Sequence, residues 1–154
     1  MSSFPMIFEF KVPVRKVTKV FLHCSASDNP KHDNPETIDN WHRSPSIGFR
    51  EIGYHFFINQ KGEIFRGRDQ ELIPAAQRGH NTNSLAICCS GLSRFSDAQM
   101  NALKDFCRDI YEEYLKTGVK ISFHGHCEVE PNKTCPVYDY KTLLKLNKRG
   151  FPKF

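Results

Sequence analysis

Histidines and cysteines that stand where strands give way to loops are the residues of this chain best placed to do chemistry. In Phe21-Leu22-His23-Cys24-Ser25-Ala26 a histidine closes a short apolar run. In His124-Gly125-His126-Cys127-Glu128-Val129-Glu130-Pro131-Asn132-Lys133-Thr134-Cys135-Pro136, histidines and cysteine gather at a strand-to-loop exit bracketed by prolines. Imidazole and thiolate are strong zinc ligands, and three protein ligands with one open position define a catalytic rather than a structural site. A rigid loop would also fix the direction of Lys133. Residue types alone leave His124 and His126 as competitors for one ligand position. A single strand-end histidine is more often a satisfied polar residue than a ligand, and a single cysteine more often a small buried hydrophobe. No C-x-x-C pair is present, so neither a zinc ribbon nor a thioredoxin-type site is indicated.

The elements that must position these residues can be read from periodicity. Val17 to Leu22 fits a buried strand that delivers His23 at its C-terminal end. Asp28 to Asn34, rich in Pro and Asn, is a loop. A helix follows, with Asn34 as N-cap and Pro35 at the first helical position, and it places Ile38, Trp41 and His42 on one face. Tyr54 to Ile58 and Glu63 to Arg66 form a hairpin around Gln60-Lys61-Gly62, and Leu85 to Cys89 is a further buried strand. After Phe95, Ser96 and Gln99 read as a capping box for a helix carrying Leu103, Phe106, Cys107, Ile110 and Tyr114 at helical spacing, stopped by Gly118. Lys120 to Phe123 is a strand, and Tyr140 to Leu146 a short terminal helix. The sum is one α/β domain, a central mixed sheet flanked by helices.

Composition narrows the class without choosing the function. A chain of 154 residues with 39% hydrophobic and 25% charged residues is an ordinary globular domain. It has no apolar run long enough to span a bilayer. The net charge of +5 suits an anionic partner, but Lys and Arg are scattered and the tail holds the densest group (Lys141, Lys145, Lys148, Arg149, Lys153). No basic stripe interleaved with aromatics is present, which argues against nucleic acid. Cys88 and Cys89 fall in a strand-like run and Cys107 on the apolar face of a helix, so the six cysteines read as reduced, in a protein made in a cytoplasm. The N-terminal stretch has no basic leader and no cleavage site, so it reads as mature protein without a signal peptide.

Five segments, in order, carry a resemblance. They are His23-Cys24-Ser25-Ala26, Trp41-His42, Gly53-Tyr54-His55-Phe56, Gly79-His80-Asn81-Thr82-Asn83-Ser84, and Gly125-His126 leading to Lys133-Thr134-Cys135-Pro136. The chain resembles the type 2 N-acetylmuramoyl-L-alanine amidases, a family of short phage endolysins and peptidoglycan recognition proteins. The likeness runs from about Val17 to about Leu146. It makes residues 17–154 an amidase domain and leaves residues 1–16 as an unassigned N-terminal arm. The resemblance implies one zinc per chain in a surface groove, held by His23, His126 and Cys135, with His126 preferred because the family's ligand directly follows the glycine matched by Gly125. It implies Tyr54 and Lys133 as the groups flanking the attacking water and the scissile carbonyl. Two departures stand out. Ala75-Ala76-Gln77-Arg78 replaces a histidine-alanine pair of many relatives, and one extra residue falls near Asn132.

The expected reaction is hydrolysis of the amide between N-acetylmuramic acid and L-alanine in bacterial peptidoglycan, by a monomer that acts on the wall after release from the host cytoplasm. Two imidazoles and a thiolate leave the zinc with a net charge of about +1, so extra donors such as the Tyr54 hydroxyl and the Lys133 ammonium matter. Glu128 is a candidate to orient a ligand from behind. One competing reading is a module that binds the wall without cutting it, whose signature would be a lost zinc ligand. Small phage amidases can also inhibit their phage's RNA polymerase, which makes that polymerase a further partner to test and residues 1–16 the place to look.

Overall fold

A computed structural model describes residues 4–154. Five strands, β1 (Lys19–Cys24), β2 (Phe56–Ile58), β3 (Ile64–Arg66), β4 (Ser84–Cys89) and β5 (Ser122–Gly125), form one sheet in the order β3-β2-β4-β1-β5. Pairing is parallel except for the antiparallel β2–β3 hairpin. Every residue of β4 is buried, as expected of a central parallel strand covered on both faces. β5 begins two residues later than its apolar run suggests, because Ser122 is the first residue in register with Lys19 of β1.

The period-2 alternation of β1 decides where its histidine goes. Val20, Leu22 and Cys24 enter the main core with Leu85, Ile87, Phe56 and Phe123, under Leu103, Phe106, Cys107 and Ile110 of helix α2 (Asp97–Lys116). Phe21 and His23 therefore face the opposite side, where Phe21 packs on the His124 ring of β5 at 5.6 Å. α2 is capped by the Ser96 hydroxyl, which accepts from Gln99 N at 3.0 Å. The reciprocal half of the expected capping box does not form. The Gln99 side chain is buried and donates to the carbonyls of Ile58 and Ser90, both at 2.9 Å, tying the helix start to the ends of β2 and β4.

Helix α1 (Pro35–Arg43) starts as the sequence suggests, with Asn34 Oδ1 accepting from Thr37 N at 2.9 Å. Its inner face carries Ile38 and His42, while Trp41 stands at the boundary with 36% exposure and meets the His32 ring edge-on. Asp39 Oδ1 accepts from Ile52 N and His42 Nδ1 from Gly53 N, each at 2.8 Å. These bonds fix the backbone that presents Tyr54. Helix α3 covers Tyr140–Leu143 and stops short of Leu146, with Lys145 at φ +51°.

Of the N-terminal arm, residues 1–3 lie outside the described residues. The rest is knitted into the domain. Ile7 N donates to Ile64 O, Arg66 N to Pro5 O, and Phe10 is buried among Phe56, Phe106 and Tyr114. Arg15 donates to the carbonyls of Gln70 and Ser84.

Candidate metal site and cleft

His23, His126 and Cys135 come together from three places in the chain, each offering a ligand atom within 4.8 Å of the others. His23 is fully buried near the C-terminal end of β1. His126 opens the 3-10 turn (His126–Glu128) that follows β5. Cys135 is brought back by a backbone bond from Cys127 N to Cys135 O at 2.8 Å, and its sulfur accepts from Cys24 N at 3.0 Å. Tyr138 closes the assembly from below, its hydroxyl donating to His23 O at 3.1 Å.

The donor set fits a tetrahedral cation. Zn–N bonds near 2.0–2.1 Å and Zn–S bonds near 2.3 Å set ligand atoms roughly 3.3–3.8 Å apart, and Cys135 Sγ lies 3.9 Å from His23 Nδ1. His126 Nε2 is buried without a hydrogen bond, since the Glu130 carboxylate, 3.3 Å away, is outside hydrogen-bonding geometry. Burial, with His126 as a second cause, pushes the His23 imidazole down to about 3, so the ring is neutral and free to ligate. The Cys135 thiol is held above its ordinary value by its contact with Cys24 and by burial. A divalent cation reverses that preference, because a coordinating thiol is deprotonated outright.

Tyr54 is brought to the site. Its ring lies 5.0 Å from the His23 ring and 5.3 Å from that of His42, and burial, with Cys88 next, raises its hydroxyl well above the ordinary value. The hydroxyl therefore stays protonated and able to donate. Lys133 stands two residues before Cys135 with its backbone N bonded to Glu130 O at 2.9 Å and its side chain exposed. A cleft of about 420 Å³ is lined by Phe49, Ala75, Ala76, Arg78, Asn81 and Glu130 and meets the triad through Glu130, whose carboxylate lies 3.3 Å from His126 Nε2.

His124 is placed elsewhere. Its Nδ1 meets Glu128 Oε1 at 3.0 Å and its Nε2 meets Ser122 Oγ at 2.8 Å, so both ring nitrogens are occupied. Glu128 also accepts from Gly125 N at 2.8 Å and from the Tyr140 hydroxyl. The carboxylate nearest a ligand is thus Glu130, beside His126, whereas Glu128 braces the strand end. Gln77, fully buried, contacts His23 Nε2 at 2.9 Å. In the sequence that stretch stands out only as a departure from relatives, because a contact across 54 residues leaves no local periodic signal.

Residues 13–138 match the family model described as N-acetylmuramoyl-L-alanine amidase, and the chain belongs to that family. The endolysin of Klebsiella phage KP32 is 30% identical over 141 residues, spanning 86% of this chain and 89% of its own. The fold is that of LysCS, an endolysin amidase from Clostridium intestinale (TM-score 0.72, 23% identity, 85% of this chain and 83% of that one). It is also that of Drosophila peptidoglycan recognition protein LB (TM-score 0.63, 23% identity, 82% and 78%).

Proposed function

We propose that this protein is a zinc-dependent N-acetylmuramoyl-L-alanine amidase that acts as a phage endolysin, cutting the amide between N-acetylmuramic acid and L-alanine of bacterial peptidoglycan. The observation that carries the reading is the convergence of His23, His126 and Cys135 into one cluster of ligand atoms. These three would hold the metal. Zinc bound there supplies a water with a pKa of about 7 and polarises the carbonyl.

The chain's own residues do the rest. The Cys24 N–H steadies the Cys135 sulfur as it takes negative charge. The Tyr54 hydroxyl and the Lys133 ammonium donate to the oxygen on which charge develops. The cleft past Ala75, Ala76, Arg78 and Asn81 takes the wall strand, an assignment supported by Glu130, which lines the cleft and stands 3.3 Å from His126 Nε2. Retention of all three ligand residues favours cutting over holding the wall.

The test is mass spectrometry of purified peptidoglycan after digestion. Free stem peptides beginning at L-alanine, with intact glycan strands, are expected. Cleavage within the glycan or within the peptide, or no cleavage by zinc-loaded protein, would overturn the reading.

A further inference from the structure

Gln77 and the His23 ring are both inaccessible to solvent and face each other across the back of the site. The orientation of the Gln77 amide follows from its other end. Its nitrogen donates to Ser84 Oγ at 2.7 Å and to the His80 carbonyl at 3.3 Å. The Ser84 hydroxyl gives its one proton to the Asn81 carbonyl at 2.8 Å, so toward Gln77 it can only accept. Both neighbours of that end are acceptors, which leaves the amide oxygen facing His23 Nε2 at 2.9 Å. An amide oxygen has no proton to give, so this contact is a hydrogen bond only when Nε2 carries the proton. A neutral imidazole with its proton on Nε2 keeps its lone pair on Nδ1, the nitrogen 3.9 Å from the Cys135 sulfur. Asn81 holds the arrangement in place, its Oδ1 accepting from Ala76 N at 3.1 Å and Gln77 N at 3.0 Å.

We propose that Gln77 is a positioning residue for the metal site: the relay Asn81–Ser84–Gln77 locks His23 in the Nε2–H tautomer and presents Nδ1 to the metal. The proposal rests on the zinc reading above. A partner behind a ligating histidine fixes ring orientation and tautomer, and its loss typically costs 10–100-fold in metal affinity. This partner is a neutral amide and not a carboxylate. It orients the ring without adding negative charge to a site that already carries a thiolate.

Two readouts separate the proposal from the zinc reading. Long-range ¹H–¹⁵N spectra of the His23 ring in the zinc-free full chain report the tautomer without reference to metal. Competition with a chromophoric chelator reports zinc affinity. Wild type should show the proton on Nε2. Gln77→Leu should show a mixed tautomer and a zinc affinity about 10–100-fold lower, in a chain whose amide spectrum remains folded. Gln77→Glu, which keeps an acceptor oxygen, should retain the Nε2–H tautomer and most of the affinity. A wild-type His23 protonated on Nδ1 would overturn the proposal, as would a folded Gln77→Leu with unchanged zinc affinity. Should Gln77→Leu fail to fold, the wild-type tautomer and the Gln77→Glu affinity decide the matter. Absence of zinc binding by wild type would defeat the zinc reading while leaving the tautomer measurement to judge Gln77.

Discussion

His124 and His126 are two residues apart, yet only one joins the candidate metal site. His124 lies within β5, where Glu128 and Ser122 fill both its nitrogens. Its ring is also closed over by Gly150, where an added Cβ would come within 2.7 Å of His124 Cε1 and where φ is +86°. His126 lies one residue beyond the strand, and its Nε2 is buried without a hydrogen bond. The Glu130 carboxylate stands beside it at 3.3 Å, and the ring is not locked from both sides as that of His124 is. The difference teaches that ligating capacity is set by what already occupies the ring nitrogens, and residue type alone does not reveal it.

The largest effect should come from exchanging the two histidines' fates. His126→Ala and Cys135→Ser should each reduce bound zinc and wall-cutting activity to near background, while His124→Gln keeps both. Zinc content and turnover measured on the same samples check this. Full zinc occupancy in His126→Ala, or its loss in His124→Gln with the fold intact, would break the comparison. Cys107→Ser, in a fully buried position, should lower stability but leave specific activity per folded molecule unchanged.

Within the metal site, Tyr54→Phe should lower turnover of a soluble muropeptide by roughly 10²–10³, or about 2.7–4 kcal/mol, with zinc content and substrate binding unchanged. Lys133→Ala should act in the same direction. Near wild-type turnover in either variant would remove that residue from the chemistry. Loss of zinc alongside activity would instead make it a support for the metal.

On the other side of the comparison the cost should be structural. His124→Gln removes contacts to Glu128 and Ser122 and should lower unfolding free energy by about 1–3 kcal/mol in denaturant titration. An unchanged midpoint would show that the cluster contributes nothing.

His55 sharpens the same rule at the smallest scale. Its Nδ1 accepts from Ala86 N at 3.1 Å, its Nε2 donates to Leu72 O at 2.8 Å, and burial holds it down to about 3. The folded chain keeps this ring neutral while the unfolded chain protonates it near 6.5. Its contribution to stability is therefore full above about pH 6.5 and declines as pH falls toward 3, by at most about 1.4 kcal/mol per pH unit. In chelated protein, His55→Gln should lose that one-proton slope relative to wild type. Identical slopes would exclude His55 as its source.

What was legible in the sequence followed from periodicity. The apolar runs of β1 and β4, the Asn34 and Ser96 caps and the stripe of α2 were readable because each is a local pattern. The site was legible where ligand residues end such runs, as His23 does. The separation of His126 from His124 was not settled by residue type, because it depends on Glu128 and Ser122 filling the His124 nitrogens in space. Gln77 and Glu130 were missed for the same reason. So was the packing of the arm. Phe10 stands two residues after the exposed Phe8, with nothing in sequence to mark it as core, but joins Phe56, Phe106 and Tyr114 there. Deleting residues 1–16 to test a polymerase contact would therefore remove core as well, and substitutions at the exposed Phe8 and Val14 are the cleaner probe.

The central claim is that zinc is bound by two imidazoles and one thiolate with one position left open. X-ray absorption at the zinc edge of purified, active protein tests it most directly. The account predicts one sulfur near 2.3 Å, two imidazole nitrogens near 2.0–2.1 Å and one further light-atom ligand. A first shell without sulfur, a closed shell of four protein ligands, or active protein with no zinc would contradict it.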